Sequence, residues 1–131
     1  VCDIDMAKVF YTLMSIKARY VLFETSNPRH AHEWTVFRDR KSEIPDDKIL
    51  VPGVIDSTTN FVEHPEVVAQ RIERFADIVG ADRVIAGSDC GFGTFVGWEW
   101  VARDLPPGRS SRVKPFSFAI SRGQARFGTS G

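Results

Sequence analysis

The sequence predicts a parallel α/β fold, on three observations. Segments with apolar residues every three to four positions alternate with short runs of consecutive β-prone apolar residues. The order is helix then strand, three times over. The strand runs are apolar throughout, as in sheets covered on both faces. Strands separated by helices pair in parallel through right-handed crossovers.

The elements follow in order. From Asp5 to Lys17, apolar residues fall at Met6, Val9, Phe10, Leu13, Met14 and Ile16, a helical period with Asp3 or Asp5 able to cap its start. Tyr20-Val21-Leu22-Phe23 reads as a buried strand, ended by the polar stretch Glu24-Thr25-Ser26-Asn27-Pro28. A short helix carrying Trp34 and Phe37 is expected over His30–Arg40. Asn27-Pro28-Arg29-His30 reads as a turn. Ile49-Leu50-Val51 is a second strand, broken by Pro52-Gly53 and resumed at Val54-Ile55, before Asp56-Ser57-Thr58. A third helix runs from about Pro65 to Val79, with Pro65 in its first turn and Gly80 as its stop. Arg83-Val84-Ile85-Ala86 is the third strand, followed by Gly87-Ser88-Asp89-Cys90-Gly91-Phe92-Gly93-Thr94. Three strands are few for this class. Either the sheet is small or the chain is the last part of a (β/α)₈ barrel. The absence of an initiator Met and the texture of the last residues favour the barrel portion.

The 131 residues suit one domain or part of one. Hydrophobic residues at 43% and charged residues at 26% are values of a globular protein rather than a disordered one. No stretch approaches the ~20 apolar residues of a membrane span, and the first residues show no secretory signal. Two cysteines, Cys2 and Cys90, make no disulfide framework, so a cytoplasmic setting is expected. The formal net charge of zero hides an asymmetry. Each sign counts 17 residues; 6 basic and 1 acidic lie after residue 100, leaving 11 and 16 before it. Residues 101–131 are therefore expected to be an irregular basic tail. Its charges are scattered and no nucleic-acid module accompanies them, so no nucleic-acid partner is expected. Trp34, Trp98 and Trp100 read as packing residues, because no basic residues interleave with them.

In parallel α/β structures, ligands lie beyond the carboxyl ends of the strands. Those ends carry Glu24, Thr25, Ser26 and Asn27; Asp56, Ser57 and Thr58; and Asp89 and Cys90 among glycines. All three should converge on one rim. Cys90 has three open readings: a buried structural thiol, a metal ligand or a nucleophile. A nucleophile wants a histidine base, and His30, His32 and His64 form no recognised Cys/His signature. Zinc accepts thiolate and carboxylate oxygen together, which suits Glu24 with Cys90. Bonds of about 2.3 and 2.1 Å would put the two donor atoms within roughly 4 Å of each other. Asp56 reads equally as a loop cap and as a functional carboxylate.

Three segments, Leu22-Phe23-Glu24-Thr25-Ser26, Val51-Pro52-Gly53-Val54-Ile55-Asp56 and Ser88-Asp89-Cys90-Gly91-Phe92-Gly93-Thr94, occur in this order. Together they resemble the C-terminal part of the cobalamin-independent methionine synthase family. Asn27-Pro28-Arg29-His30-Ala31-His32-Glu33-Trp34 is most similar to the family's smaller methionine synthase-like members, one branch of which includes the epoxyalkane:coenzyme M transferases. The resemblance covers roughly residues 4–100. It implies a partial (β/α)₈ barrel domain over 1–100, an S-methyltransferase activity in methionine biosynthesis and zinc as cofactor. It implies Glu24 and Cys90 as metal ligands, Asp56 as the catalytic candidate, and Ser26, Asp56 and Asp89 as substrate-binding. The implied partners are a homocysteine-like thiol and a methyltetrahydrofolate-like donor.

The chain departs from the family pattern in three places. The His-x-Cys pair that completes the family's zinc site is not in this sequence, and Cys2 has no histidine two residues before it. Thr58 stands where methionine synthase has a proton-donating histidine. The residues after Trp100 do not resemble the last barrel helix. The second departure points toward a thiol alkyltransferase relative. The first and third leave a non-catalytic α/β remnant as the other alternative, and a chain that is inactive by itself is expected.

Overall fold

In the computed structural model, which describes residues 4–59, 61–90, 118–121 and 124–127, helix α1 runs Met6–Ser15. Asp5 caps it by accepting from the Ala7 N–H at 2.8 Å. Strand β1 (Tyr20–Phe23) follows, then α2 (Trp34–Asp39), β2 (Ile49–Ile55), α3 (Pro65–Val79) and β3 (Gly87–Ser88). The sheet order is β1-β2-β3 and both pairings are parallel, with Tyr20 opposite Ile49 and Gly53 opposite Gly87. The alternation of helix and strand dictates this arrangement. Pro65 opens α3 and His64 caps it. Gly80, at φ 95°, ends it in a conformation that favours glycine.

All three helices pack on the face of the sheet that carries Val21 and Leu50. Four phenylalanines lock the contact. Phe37 is fully buried, stacks on Phe23 at 4.5 Å, and meets Phe10 and Phe75 edge-on at 5.4 and 5.5 Å. A single apolar core thus joins α1, α2 and α3 to the sheet, and it leaves the carboxyl ends of the strands to the polar loops.

Four expectations need correction. The second helix begins at Trp34, not His30. Residues 28–33 are turns in which the Asn27 carbonyl accepts from both His30 and Ala31 N–H. The Glu33 carboxylate is drawn away to the Met6 N–H and the His30 ring, both at 2.9 Å. The third strand is not continuous over 83–86. Ala81–Arg83 is a 3₁₀ turn, Val84 makes an isolated bridge to Leu50, and the ladder resumes only at Gly87. The cause is Pro52. After the Ile85 N–H bonds the Leu50 carbonyl, the next β2 donor would be residue 52, which has no N–H.

The sheet is also not covered on both faces. Tyr20 and Leu22, on the face away from the helices, are 53% and 70% exposed. Finally, the region expected to be irregular contains regular structure. β4 (Phe118–Ser121) and β5 (Gln124–Phe127) form an antiparallel hairpin with Phe118 opposite Phe127.

The chain divides into two compact units, Val1–Thr94 and Phe95–Gly131. Cys2, Asp3, Gly91, Gly93, Trp98, Trp100 and residues 101–117 lie outside the described residues. Among the described residues no helix is long and apolar enough to cross a membrane.

Candidate functional site

The site is built on one close approach. At the end of β3 the chain runs beside β2: the Asp89 N–H donates to the Ile55 carbonyl at 3.0 Å and the Cys90 N–H to Ser57 Oγ at 3.1 Å. This path brings Asp89 directly over Gly53. A Cβ at residue 53 would collide with Asp89 Oδ1 and stand 2.7 Å from both its Cα and its N. Glycine is required there for proximity, not for an unusual dihedral.

The loop after β1 folds around the Asp89 carboxylate. That carboxylate accepts from the backbone N–H groups of Thr25, Ser26 and Asn27 at 2.9, 3.0 and 2.8 Å, and from Asn27 Nδ2 at 3.0 Å. Three successive amides converging on an anion form a nest. The Thr25 hydroxyl adds a bond to the Gly53 carbonyl at 2.7 Å. Asp89 thus ties the end of β3 to the loop after β1, and its oxygens are occupied by the fold itself.

Glu24 and Cys90 meet across this junction. Cys90 Sγ donates to Glu24 Oε1 at 2.7 Å, and Glu24 Oε2 accepts from Asn27 Nδ2 at 2.9 Å. The hydrogen bond to Glu24, burial, and the negative charges of Glu24, Asp89 and Asp56 push the Cys90 thiol up to about 11. A nucleophile needs the thiolate, and this environment opposes it. Two of the histidines have partners of their own: His64 Nδ1 accepts from the Glu66 N–H, and the His30 ring pairs with Glu33.

A measurable consequence concerns pH. With metal removed by a chelator and Cys2 replaced by serine, alkylation of Cys90 by iodoacetamide should stay slow at neutral pH and accelerate up to about pH 11. An ordinary cysteine titrates near about 8.5. The folded chain holds this proton more tightly than the unfolded one. The contribution to stability is therefore complete below the ordinary value and is lost as pH rises toward about 11. An alkylation midpoint at the ordinary value would contradict the geometry.

Thiol and carboxylate are zinc-type donors, and their contact fits one side of a tetrahedral centre. Two such donors on one zinc stand about 3.5 Å apart, so the pair needs to open by less than about 1 Å. Among the described residues, no group of three or more His, Cys, Asp or Glu side chains is placed to hold a metal.

The loop after β2 completes the rim. Asp56 is buried, and its Oδ1 accepts from the Thr58 N–H at 2.8 Å and the Thr58 hydroxyl at 2.6 Å. The Asp56 N–H donates to Glu63 Oε1, which also receives Arg71 at 3.0 Å. Arg71 reaches the Val54 carbonyl at 2.8 Å and the Ser26 carbonyl at 3.3 Å, binding the loops after β1 and β2 to α3. Ser26 is 4% exposed, and its Oγ is buried with no hydrogen-bond partner among the described residues. Such a hydroxyl is normally satisfied, so it marks a place where a bound group would fit.

The structure thus brings Glu24, Ser26, Asp89 and Cys90 together, with Asp56 close enough for its charge to act on Cys90. Sequence reasoning missed Asn27 as more than a turn residue, Gly53 as the seat of Asp89, and Ser57 as the partner of the Cys90 amide. The available signal was the Pro52-Gly53 pair, which the sequence suggests as a break but through which β2 runs unbroken, since a glycine inside a strand often marks a close backbone approach.

A family model described as the catalytic domain of cobalamin-independent synthase matches residues 1–110. No curated protein and no solved structure matches the chain.

Proposed function

Because the chain belongs to the cobalamin-independent synthase catalytic-domain family, we propose that it is the C-terminal part of a zinc-dependent S-methyltransferase of the methionine synthase type. The observation that carries this reading is the contact of Cys90 Sγ with Glu24 Oε1 on the carboxyl rim of a parallel sheet. Glu24 and Cys90 are two of the metal's donors, and further donors complete the site. A barrel accounts for the exposed face of Tyr20 and Leu22, since strands elsewhere in a (β/α)₈ wall cover that face from inside.

Zinc held there supplies positive charge that keeps a substrate thiol deprotonated near neutral pH. The acceptor is a homocysteine-like thiol and the donor a methyltetrahydrofolate-like N-methyl compound. As the methyl group moves, a carbon–sulfur bond forms, the carbon–nitrogen bond breaks, and the donor nitrogen takes up a proton. The buried Ser26 hydroxyl is free to bind a polar group of the substrate. Asp56, held by Thr58, presents its carboxylate toward the same rim. Asp89 contributes by shaping the loop that bears Glu24. A reducing, cytoplasmic setting suits both the substrate thiol and Cys90.

One observation favours a second reading. The Thr58 hydroxyl donates to Asp56 where the methionine synthases carry a proton-donating histidine, so a thiol alkylation in which a carbon–sulfur bond forms, a carbon–oxygen bond breaks and the freed oxygen takes its proton from water also suits the site. An epoxyalkane:coenzyme M type of thiol alkylation is the alternative.

The test is zinc titration of the chain and of Cys90→Ser, together with methyl transfer to homocysteine after the chain is joined to a His-x-Cys-bearing portion of a related barrel. By itself the chain should bind zinc weakly and turn over little, because zinc sites use at least three protein ligands. Cys90→Ser should remove the binding of the chain and the activity of the completed barrel. Zinc affinity unchanged by Cys90→Ser would overturn the assignment.

A further inference from the structure

Asn27 lies at the centre of the contacts that fix Glu24. It is buried, and every polar atom of its side chain is used. Its Oδ1 accepts from the Arg29 N–H at 3.1 Å, the local bond of the Asn27-Pro28-Arg29 turn. With the oxygen committed there, the amide nitrogen faces the other way. Its two hydrogens go to two carboxylates, Glu24 Oε2 at 2.9 Å and Asp89 Oδ2 at 3.0 Å. The Asn27 backbone N–H adds a third hold on Asp89, at 2.8 Å.

A closed circuit results. Cys90 contacts one oxygen of Glu24, Asn27 holds the other, Asp89 anchors Asn27, and Asp89 is the chain neighbour of Cys90. We propose that Asn27 is a positioning residue for Glu24, fixing one carboxylate oxygen so that the other is presented to the metal position beside Cys90. The proposal rests on the reading of Glu24 and Cys90 as metal donors. A glutamate has two torsions between its backbone and its carboxyl-bearing carbon, and the amide removes the freedom of the carboxylate to turn away. Hydrogen bonds to a ligand's second atom act this way at metal sites generally. Only a donor works at this position: an acid at 27 would place a third carboxylate against two others.

The test uses the 131-residue chain and Co²⁺, followed by the thiolate-to-cobalt charge-transfer absorption. The parent should develop this band, and Cys90→Ser should lack it. Asn27→Ala should weaken cobalt affinity by about 10–100-fold. Asn27→Ser keeps a short acceptor for the Arg29 N–H but not the amide, and should show the same loss if the alanine variant fails to fold. Ile78→Val is the structural control. It trims a buried side chain of the apolar core, to which Glu24, Asn27, Asp89 and Cys90 do not belong, so it should lower the melting temperature and leave cobalt affinity unchanged. If the parent shows no Cys90-dependent band, the metal reading fails and the proposal with it. If the band is present and the Asn27 variants bind cobalt as tightly as Ile78→Val, the positioning role alone is overturned.

Discussion

Phe37→Ala should lower the unfolding free energy by about 3–5 kcal/mol, the cost of emptying a large aromatic site in a core. Phe37 is fully buried and touches Phe10 of α1, Phe23 of β1 and Phe75 of α3. Its loss therefore leaves a cavity bounded by three elements rather than a gap that one side chain can close. The aromatic contacts, each about 0.5–1.5 kcal/mol beyond area burial, disappear with it. Since a domain's whole stability is about 5–15 kcal/mol, this one change should bring the unit close to unfolding at physiological temperature. Urea unfolding followed by far-ultraviolet circular dichroism gives the number. A loss below about 1 kcal/mol, the range of a surface change, would show that Phe37 is not the hub of this core.

The same phenylalanine shows what the sequence made legible. Val67, Val68, Ile72, Phe75, Ala76 and Val79 carry a helical period that no tertiary contact needed to reveal, and α3 occupies the residues it predicts, with Pro65 and Gly80 at its ends. The parallel order of the sheet followed from alternation alone. What was not legible depends on pairing. That Pro52 interrupts the ladder to Val84–Gly87 is visible only once the partner of β2 is known. The late start of α2 goes with the turns that precede it, in which the Asn27 carbonyl collects the His30 and Ala31 N–H groups and the His30 carbonyl that of Glu33. The rim behaved likewise. Strand-end chemistry identified Glu24, Ser26, Asp56, Asp89 and Cys90 as neighbours. The amide of Asn27 between two carboxylates has no local signature, because Asn-Pro reads first as a turn and it is indeed one.

Gly53→Ala should be the most damaging single methyl group that can be added to the site. The new Cβ would overlap Asp89 Oδ1 and stand 2.7 Å from Asp89 Cα and N, so backbone rather than a pliable side chain must move. Overpacking of this kind costs about 1–3 kcal/mol. Displacing Asp89 also forfeits the amides of Thr25, Ser26 and Asn27, where hydrogen bonds to a charged group contribute about 1.5–3 kcal/mol each. The two penalties share a cause, so they should not add with loss of the carboxylate. Gly53→Ala combined with Asp89→Ala should destabilise by less than the sum of the single changes, because the second removes bonds the first has already broken. Beyond stability, the shift carries Cys90 away from Glu24, since Cys90 follows Asp89 in the chain. Cobalt affinity of the folded fraction should therefore fall along with the melting temperature. Both are read on one preparation, by thermal unfolding and by the charge-transfer band. A Gly53→Ala chain that melts with the parent and binds cobalt equally well would show that Asp89 does not need its seat on β2, and the account of how this rim is assembled would be wrong.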